Sequence, residues 1–207
     1  AAYLRQALVL RPNLGEAWIS LGGIFSHQGQ MEQAHASFER AMASKPGKGV
    51  QVLNALLLPP IMGTQEEVAA SRAGFESNLE RLIAERITLL DPFKEFCNTN
   101  FHLAYHGLND KETQQRVAQF YEQACPSLLY AAPHCSRTRT AGQKRRIGFL
   151  SKFITRHSVA LSFSHIVQAL AAQGEFEVVL ISGKDLQETS VQETYPNFAG
   201  QQVRLAN

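Results

Sequence analysis

Apolar and polar residues alternate at helical spacing over the first 48 residues. Small or apolar side chains recur three or four positions apart on one helical face: Trp18, Leu21, Gly22 and Phe25, then Ala34, Phe38 and Ala41. Pro46 follows and ends the second helix, because proline lacks the backbone N–H and its ring clashes with the preceding turn. The pattern predicts two amphipathic helices that approach closely at Gly22.

The same pattern recurs upstream. Leu4, Ala7 and Pro12 each lie 34 positions before Phe38, Ala41 and Pro46. This period and these residue types are typical of the tetratricopeptide repeat, whose helical hairpin buries its apolar face only against neighbouring repeats. We therefore expect residues 1–48 to hold one complete and one partial repeat, at the end of a longer solenoid.

Residues 49–134 no longer follow the repeat and predict a helical capping and linking region. Val50 to Leu58 indicates a short apolar helix that covers the open end of the solenoid. Thr64-Gln-Glu-Glu67 is a capping box, which predicts the start of a long helix that ends before Asp91-Pro92. The apolar stripe of that helix consists of Val68, Phe75, Leu79, Leu82, Ile83, Ile87 and Leu90.

Another helix is predicted after Asn109 or Asp110, either of which can cap it. Its expected buried face comprises Val117, Phe120, Tyr121 and Ala124. Residues 126–142 contain two prolines and the polar tract Ser-Arg-Thr-Arg-Thr. This composition indicates a linker or a domain boundary.

The periodicity changes after residue 144. Ile147 to Ser151 and Phe176 to Ser182 are nearly continuous apolar runs of strand length. Val159 to Ala172 between them has helical periodicity, and Gly174 is expected to end that helix. Two such strands joined by a helix predict a parallel βαβ unit. Val203 to Leu205 is a candidate third strand, so residues 144–207 predict the beginning of an α/β domain that continues beyond the chain.

Composition excludes several classes of protein. Hydrophobic residues make up 44% of the chain, and the formal net charge is +2, which gives no reason to expect nucleic acid or a membrane surface as a partner. Cys97, Cys125 and Cys135 lack the spacing of a zinc site or a disulfide framework. Because no signal peptide or long apolar run is present, we expect a soluble cytoplasmic protein.

The loop after the first predicted strand carries the strongest candidate for chemistry. Ligands of open parallel sheets bind outside the carboxyl ends of the strands, and His157 lies in this loop directly before a helix that Ser158 is expected to cap. A histidine there can act as base, acid or hydrogen-bond donor near neutral pH. The alternative is an ordinary surface histidine. Either way, an imidazole in an exposed loop is expected to contribute little to stability.

Other candidate groups favour structural roles. His102 and His106 have the i, i+4 spacing of metal ligands, but their apolar neighbours favour packing and no metal site is predicted. Lys144 to Arg146 indicates a charged approach to the strand, with a phosphate contact as the alternative. Neither a dinucleotide fingerprint nor a P-loop is present, so no cofactor site is predicted.

Three segments in order resemble one known family. The segments are 101–110 (FHLAYHGLND), 117–126 (VAQFYEQACP) and 144–159 (KRRIGFLSKFITRHSV), and they follow the repeats. Together they are similar to the bacterial branch of the O-linked N-acetylglucosamine transferase and SPINDLY family. The resemblance implies an α-helical tetratricopeptide-type solenoid end followed by the start of the N-terminal Rossmann-like half of a GT-B glycosyltransferase.

The resemblance also implies a function. Members transfer a sugar from a nucleotide donor, here expected to be UDP-N-acetylglucosamine, to Ser or Thr of proteins, without a metal and with inversion at the sugar. The polypeptide acceptor lies along the repeat groove. His157 matches the active-site histidine of the family, whereas Phe153 to Arg156 replaces the Asp-Phe-Gly-Asn of animal relatives. The second family histidine and the nucleotide-binding half have no counterpart, so we expect this fragment alone to be inactive.

Two alternatives remain at this stage. The first is a repeat scaffold that binds protein partners and whose glycosyltransferase-like domain is not catalytic. The second is the same enzyme fold with another donor, such as GDP-fucose, or with another acceptor.

Overall fold

A computed structural model describes residues 1–44, 47–95, 99–136, 142–155, 157–183 and 188–205. Pro46, Cys97, Arg156 and residues 137–140 of the polar tract lie outside these ranges, and so do the predictions made for them. The chain is mostly helical with a small parallel sheet, and it divides into two compact units, residues 1–132 and 133–207. The predicted segment borders at residues 48 and 134 stay predictions.

The first unit contains seven α-helices and two short 3-10 helices within the described residues. The α-helices are α1 (Ala2–Leu10), α2 (Gly15–His27), α3 (Met31–Ser44), α4 (Lys48–Ala55), α5 (Gln65–Ala84), α6 (Pro92–Glu95) and α7 (Lys111–Ala124). The 3-10 helices are Phe101–His106 and Pro126–Leu129.

Helices α2 and α3 pack as a hairpin around a small apolar core. The core residues are Leu8, Ala17, Leu21, Phe25, Ala34, Phe38, Ala41 and Val50. Gly22 faces the ring of Phe38, and a Cβ added at Gly22 would lie 2.7 Å from the Phe38 ring atom Cε1. The close approach predicted at Gly22 is therefore present, since only a residue without a side chain fits there.

Trp18 lies at the edge of this hairpin and ties two segments to it. Its indole N–H donates a hydrogen bond to the carbonyl of Pro12 at 2.8 Å. The guanidinium of Arg40 lies over the indole ring, 5.1 Å from the ring centroid. The apolar ring is thereby half-buried while its polar atom is satisfied, which is the usual arrangement for a tryptophan at a packed edge.

Helix α4 connects the hairpin core to a second core. Val50 packs into the first core, Val52 into the second, and Leu53 contacts both. The helix spans Lys48–Ala55 rather than the predicted Val50 to Leu58, and the apolar residues Leu56 and Leu58 continue the packing after its end. The two cores of this unit therefore share one short helix.

Helix α5 begins as predicted but ends earlier. The Thr64 hydroxyl accepts a hydrogen bond from the backbone N–H of Glu67 at 3.2 Å, and the Glu67 carboxylate accepts one from the N–H of Gly63 at 2.7 Å. The helix stops at Ala84, where Arg86 takes a left-handed conformation with φ of 50°.

The predicted continuation of α5 to Leu90 is therefore wrong. Ile87 and Leu89 are both buried, while Leu90 is 88% exposed. A spacing of two between buried residues is that of an extended segment, and the N–H of Leu89 donates to the carbonyl of Ala124 at 2.7 Å. Apolar residues thus persist after Arg86 because this segment packs on the end of α7.

Helix α7 buries the face that its sequence predicts, with Val117, Phe120 and Ala124 in the core. Asp110, one of the two residues predicted to cap the helix, is its N-cap, but the Asp110 side chain makes no cap hydrogen bond. The Asn109 side chain accepts a hydrogen bond from the N–H of Lys111, whereas the Asp110 carboxylate forms an ion pair with Arg72 of α5 at 2.6 Å. Arg72 therefore joins two helices that are far apart in sequence.

His106 is buried beside this ion pair. It is 5% exposed, and neither ring nitrogen has a hydrogen-bond partner among the described residues. Burial lowers the pKa of His106, and the Arg72 guanidinium lowers it further, against an opposing effect of Asp110 and together with a smaller effect of His102. His106 is therefore a packing residue that is held neutral.

The second unit is a three-stranded parallel sheet with helices on one face. Its elements are β1 (Arg145–Leu150), α8 (Ser158–Gln173), β2 (Phe176–Ser182), α9 (Glu188–Thr194) and β3 (Gln201–Arg204), preceded by a 3-10 helix at Pro133–Ser136. The strand order is β1-β2-β3, and both pairs are parallel. Strand β2 has the predicted bounds, and β3 begins two residues before the predicted Val203.

Helices α8 and α9 bury the inner face of the sheet. Val178 and Leu180 of β2 pack against Ala160 and Val167 of α8 and against Tyr195 after α9. Gly174 ends α8 as predicted, with a φ of 74° in the left-handed region that favours glycine. Among the described helices of both units, none combines the length and apolar character needed to cross a membrane.

We expect Gly22→Ala to destabilise the first unit by about 1 to 3 kcal/mol, because the added methyl overlaps the ring of Phe38, which is 1% exposed and cannot move aside. Gly23→Ala is the matched control. No atom lies within 4 Å of its added methyl, so it should stabilise by up to about 1 kcal/mol through helix propensity. Urea unfolding followed by Trp18 fluorescence reports this unit, and equal effects of both variants would contradict the close contact.

We expect the first unit to lose stability as the pH falls below about 6.5, where an unfolded histidine binds a proton that buried His106 does not. The loss continues down to the lowered folded-state pKa of His106. His106→Leu should flatten this part of the curve, because it removes the group whose folded-state pKa is lowered. Urea midpoints from pH about 7.5 to about 5 check this, and parallel curves for wild type and His106→Leu would contradict it.

Candidate functional site

The candidate site is the loop that follows β1 at the carboxyl edge of the sheet. Ile154 anchors the loop in the core with 3% exposure, while Lys152, Phe153 and His157 lie at the surface. The Ser151 hydroxyl accepts a hydrogen bond from the N–H of Phe153 at 3.0 Å, which forms the first turn of the loop. Ile154 is the buried apolar residue of this loop. The side chains of Lys152, Phe153 and His157 therefore face solvent.

His157 is the N-cap of α8. Its ring nitrogen Nδ1 accepts a hydrogen bond from the backbone N–H of Val159 at 3.2 Å. The prediction that Ser158 caps this helix is therefore wrong, because Ser158 is already the first helical residue and its hydroxyl lies 3.5 Å from the same Nδ1. The cap satisfies one of the backbone donors that every helix start leaves unpaired.

One aromatic side chain stacks on His157, and a lysine lies over that aromatic ring in turn. The ring of Phe153 lies 4.2 Å from the imidazole centroid to centroid, with an interplanar angle of 18°. The ammonium of Lys152 lies 4.8 Å from the centroid of the Phe153 ring and forms a cation–π contact with it. Stacking and the cap together restrict the plane of an imidazole that remains exposed to solvent.

An apolar cavity of about 220 Å³ lies beside this loop. Its wall includes Phe153 and Ile154 of the loop, Phe163 of α8 and Tyr195 after α9. Burial raises the pKa of Tyr195, so its hydroxyl stays protonated. The site thus places an exposed imidazole and a lysine next to an apolar hollow.

Sequence reasoning missed part of this site. The helical periodicity predicted for Val159 to Ala172 did not reveal that Leu161, Phe163 and Ile166 are 59%, 56% and 56% exposed. The buried positions are Ala160, Ser164 and Val167. The signal was present, since Val159, Phe163 and Ile166 have helical spacing of their own, but a helix that is apolar on two faces does not reveal which one packs.

The basic residues at the start of β1 do not belong to this site. Arg146 forms an ion pair at 2.9 Å with Glu177 on β2, opposite it in the strand register. Both lie at the amino end of the sheet, roughly 16 Å along β1 from the loop at a strand rise of about 3.3 Å per residue. Two roles were predicted for Lys144 to Arg146, a charged approach to the strand and a phosphate contact. This ion pair favours the first.

His102 and His106 do not form a metal site with each other. They lie in a 3-10 helix, where Nδ1 of His102 is 3.4 Å from the carbonyl of Leu58 and His106 is buried in the core. In the described parts of the chain, no group of three or more His, Cys, Asp or Glu side chains is placed to hold a metal ion.

We expect His157→Ala to destabilise α8 by about 0.5 to 2 kcal/mol, because alanine cannot cap the helix. This replaces the expectation that an exposed loop imidazole contributes little. His157→Asn should retain most of the stability, since asparagine is a strong N-cap. Amide hydrogen exchange in α8 measures the effect in this unit, and equal protection in the alanine variant and wild type would show that the cap contributes nothing.

Comparison with solved structures gives distant likenesses. No protein-family model matches the chain, and no curated protein matches it. Among solved structures, the chain is similar to a mutant of the O-GlcNAc transferase of Thermobaculum terrenum, with a TM-score of 0.46 and 15% sequence identity. The match covers 96% of this chain and 36% of that one, so the chain spans about a third of the length of that structure. What the site can do chemically follows from the residues of this chain.

Proposed function

We propose that the protein containing this chain is a nucleotide-sugar-dependent protein glycosyltransferase. On this proposal it transfers N-acetylglucosamine from UDP to Ser or Thr hydroxyls of polypeptides. Support comes from the order of the segments 101–110, 117–126 and 144–159 behind a helical repeat, which resembles the O-linked N-acetylglucosamine transferase and SPINDLY family.

One observation carries the proposal more than any other. His157 is exposed at the junction of β1 and α8, at the carboxyl edge of a parallel sheet. Substrates of open α/β sheets bind at this edge. The same histidine is the one that matches the family motif, so the sequence resemblance and the local geometry select the same residue independently.

The remaining assignments follow from the same proposal. Residues 1–48 act as tetratricopeptide repeats that guide the polypeptide acceptor, and residues 144–207 act as the start of the first Rossmann-like half of a GT-B fold. Transfer proceeds with inversion, when the acceptor hydroxyl attacks the sugar and the nucleoside diphosphate leaves. The proposal includes no cofactor or metal, and it places the protein in the cytoplasm.

A second candidate function is a scaffold that binds polypeptides without catalysis. A cavity of about 350 Å³ in the first unit favours it. Ile19 and Gly23 of α2 line this cavity together with Leu53, Leu56 and His102. An apolar hollow of this size with a polar rim suits a side chain of an extended polypeptide whether or not sugar transfer follows.

The experiment measures transfer of labelled N-acetylglucosamine from UDP to a mixture of Ser- and Thr-containing peptides by the full-length protein. We expect His157→Asn, which keeps the cap, to reduce transfer by about tenfold to ten-thousandfold, the range from a lost hydrogen bond to a lost acid–base group. His165→Ala is the matched control, because His165 is an exposed histidine two turns further along α8. A chelator should leave the rate unchanged.

The outcomes separate the candidates. No transfer with any nucleotide sugar, accompanied by peptide binding, favours the scaffold. Transfer from GDP-fucose alone retains the enzyme and changes its donor. Equal loss in His157→Asn and His165→Ala contradicts the assignment of His157.

A further inference from the structure

We propose that His157 acts on its substrate as a hydrogen-bond donor through Nε2, and not as the base that deprotonates the acceptor hydroxyl. The group it binds is an oxygen atom of the substrate, either a hydroxyl or a phosphate oxygen. This inference rests on the proposed function for its substrate, but its structural part concerns this chain alone.

The N-cap hydrogen bond determines where the imidazole proton is. A backbone N–H can only donate, so Nδ1 of His157 must accept the hydrogen bond from Val159 and therefore carries no proton. The Ser158 hydroxyl lies 3.5 Å from the same Nδ1. A neutral imidazole has one N–H, and it is therefore on Nε2.

The position of this proton determines which ring nitrogen can accept a proton and which can donate a hydrogen bond. The nitrogen that can take up a proton is Nδ1, which is turned toward the start of α8 and occupied by the Val159 N–H. Nε2 already bears its proton and offers it to an acceptor. A base at Nε2 would require the other tautomer, in which Nδ1–H faces the Val159 N–H and the cap is lost.

The stack with Phe153 holds the ring in this orientation. Both side-chain hydrogen bonds that His157 makes within the described residues involve Nδ1, so the exposed part of the ring carries Nε2. Phe153 covers one face of the imidazole at 4.2 Å. Phe153 is thus a positioning residue, which limits the direction in which the Nε2–H points.

The first test reads the tautomer in this chain without any substrate. Nitrogen-15 NMR of histidine-labelled chain at about pH 8, where an ordinary histidine is mostly neutral, distinguishes protonated from unprotonated ring nitrogens. The His157 signals are assigned by their disappearance in His157→Asn. We expect a protonated Nε2 and an unprotonated Nδ1, and the opposite tautomer or an even mixture overturns the proposal.

The second test compares His157→Gln with His157→Asn in the full-length protein. The glutamine amide reaches the region of Nε2 and donates a hydrogen bond but cannot act as a base, whereas asparagine replaces only the Nδ1 side. We expect the asparagine variant to lose roughly 10- to 100-fold in transfer and the glutamine variant to be clearly more active than it. Stability should follow the opposite order, because asparagine is the better N-cap.

The two tests distinguish the possible failures. Equal losses of 100-fold or more in both variants, in the range expected for a lost acid–base group, overturn the donor role. Absence of transfer in the wild-type protein defeats the proposed function and with it the substrate part of this inference, while the NMR result still decides the tautomer.

Discussion

Parallel pairing of β1 with β2 is the constraint on which the candidate site depends. Two parallel neighbours cannot be joined by a tight turn, so the chain must return along the sheet through a crossover helix. Helix α8 is that crossover, and its start therefore lies at the carboxyl end of β1. The loop between them has to change from strand to helix within a few residues, and Lys152, Phe153 and His157 of the site all lie in that loop.

The helical unit depends on a different constraint. Its helices are too short to be stable alone, so each helix has to bury its apolar face against another element. The α2–α3 hairpin solves it by close approach at Gly22 and Phe38, and α4 extends the packing into a second core through Leu53. Polar contacts then join elements that are distant in sequence. The guanidinium of Arg72 bonds to the Asp110 carboxylate at 2.6 Å and to the Thr113 hydroxyl at 3.1 Å.

Sequence reasoning succeeded where one local rule decided the outcome. The capping role of Thr64, the bounds of β2 and the glycine stop at Gly174 all depend on residues adjacent in the chain, and the structure confirms them. It failed where a distant partner decided. The end of α5 depends on contacts of the following segment with α7, which no local pattern contains.

The candidate site shows the same division between local and distant causes. The position of His157 after β1 follows from strand and helix periodicity, and the family motif selects the same residue. Its capping role could not be predicted, because histidine is not a preferred N-cap and Ser158 is a better one by residue type. The Phe153 stack was equally hidden, since only the turn at Ser151 brings Phe153 and His157 face to face.

The cap at His157 has a consequence for protein engineering. For the folding of α8 alone, Asn, Asp or Ser serves at this position as well as or better than an imidazole. A redesign guided by stability alone would therefore accept replacement of the histidine. The melting curve would not reveal that the exposed nitrogen of the site had been removed, so residue 157 should be held fixed in any stabilised version of this chain.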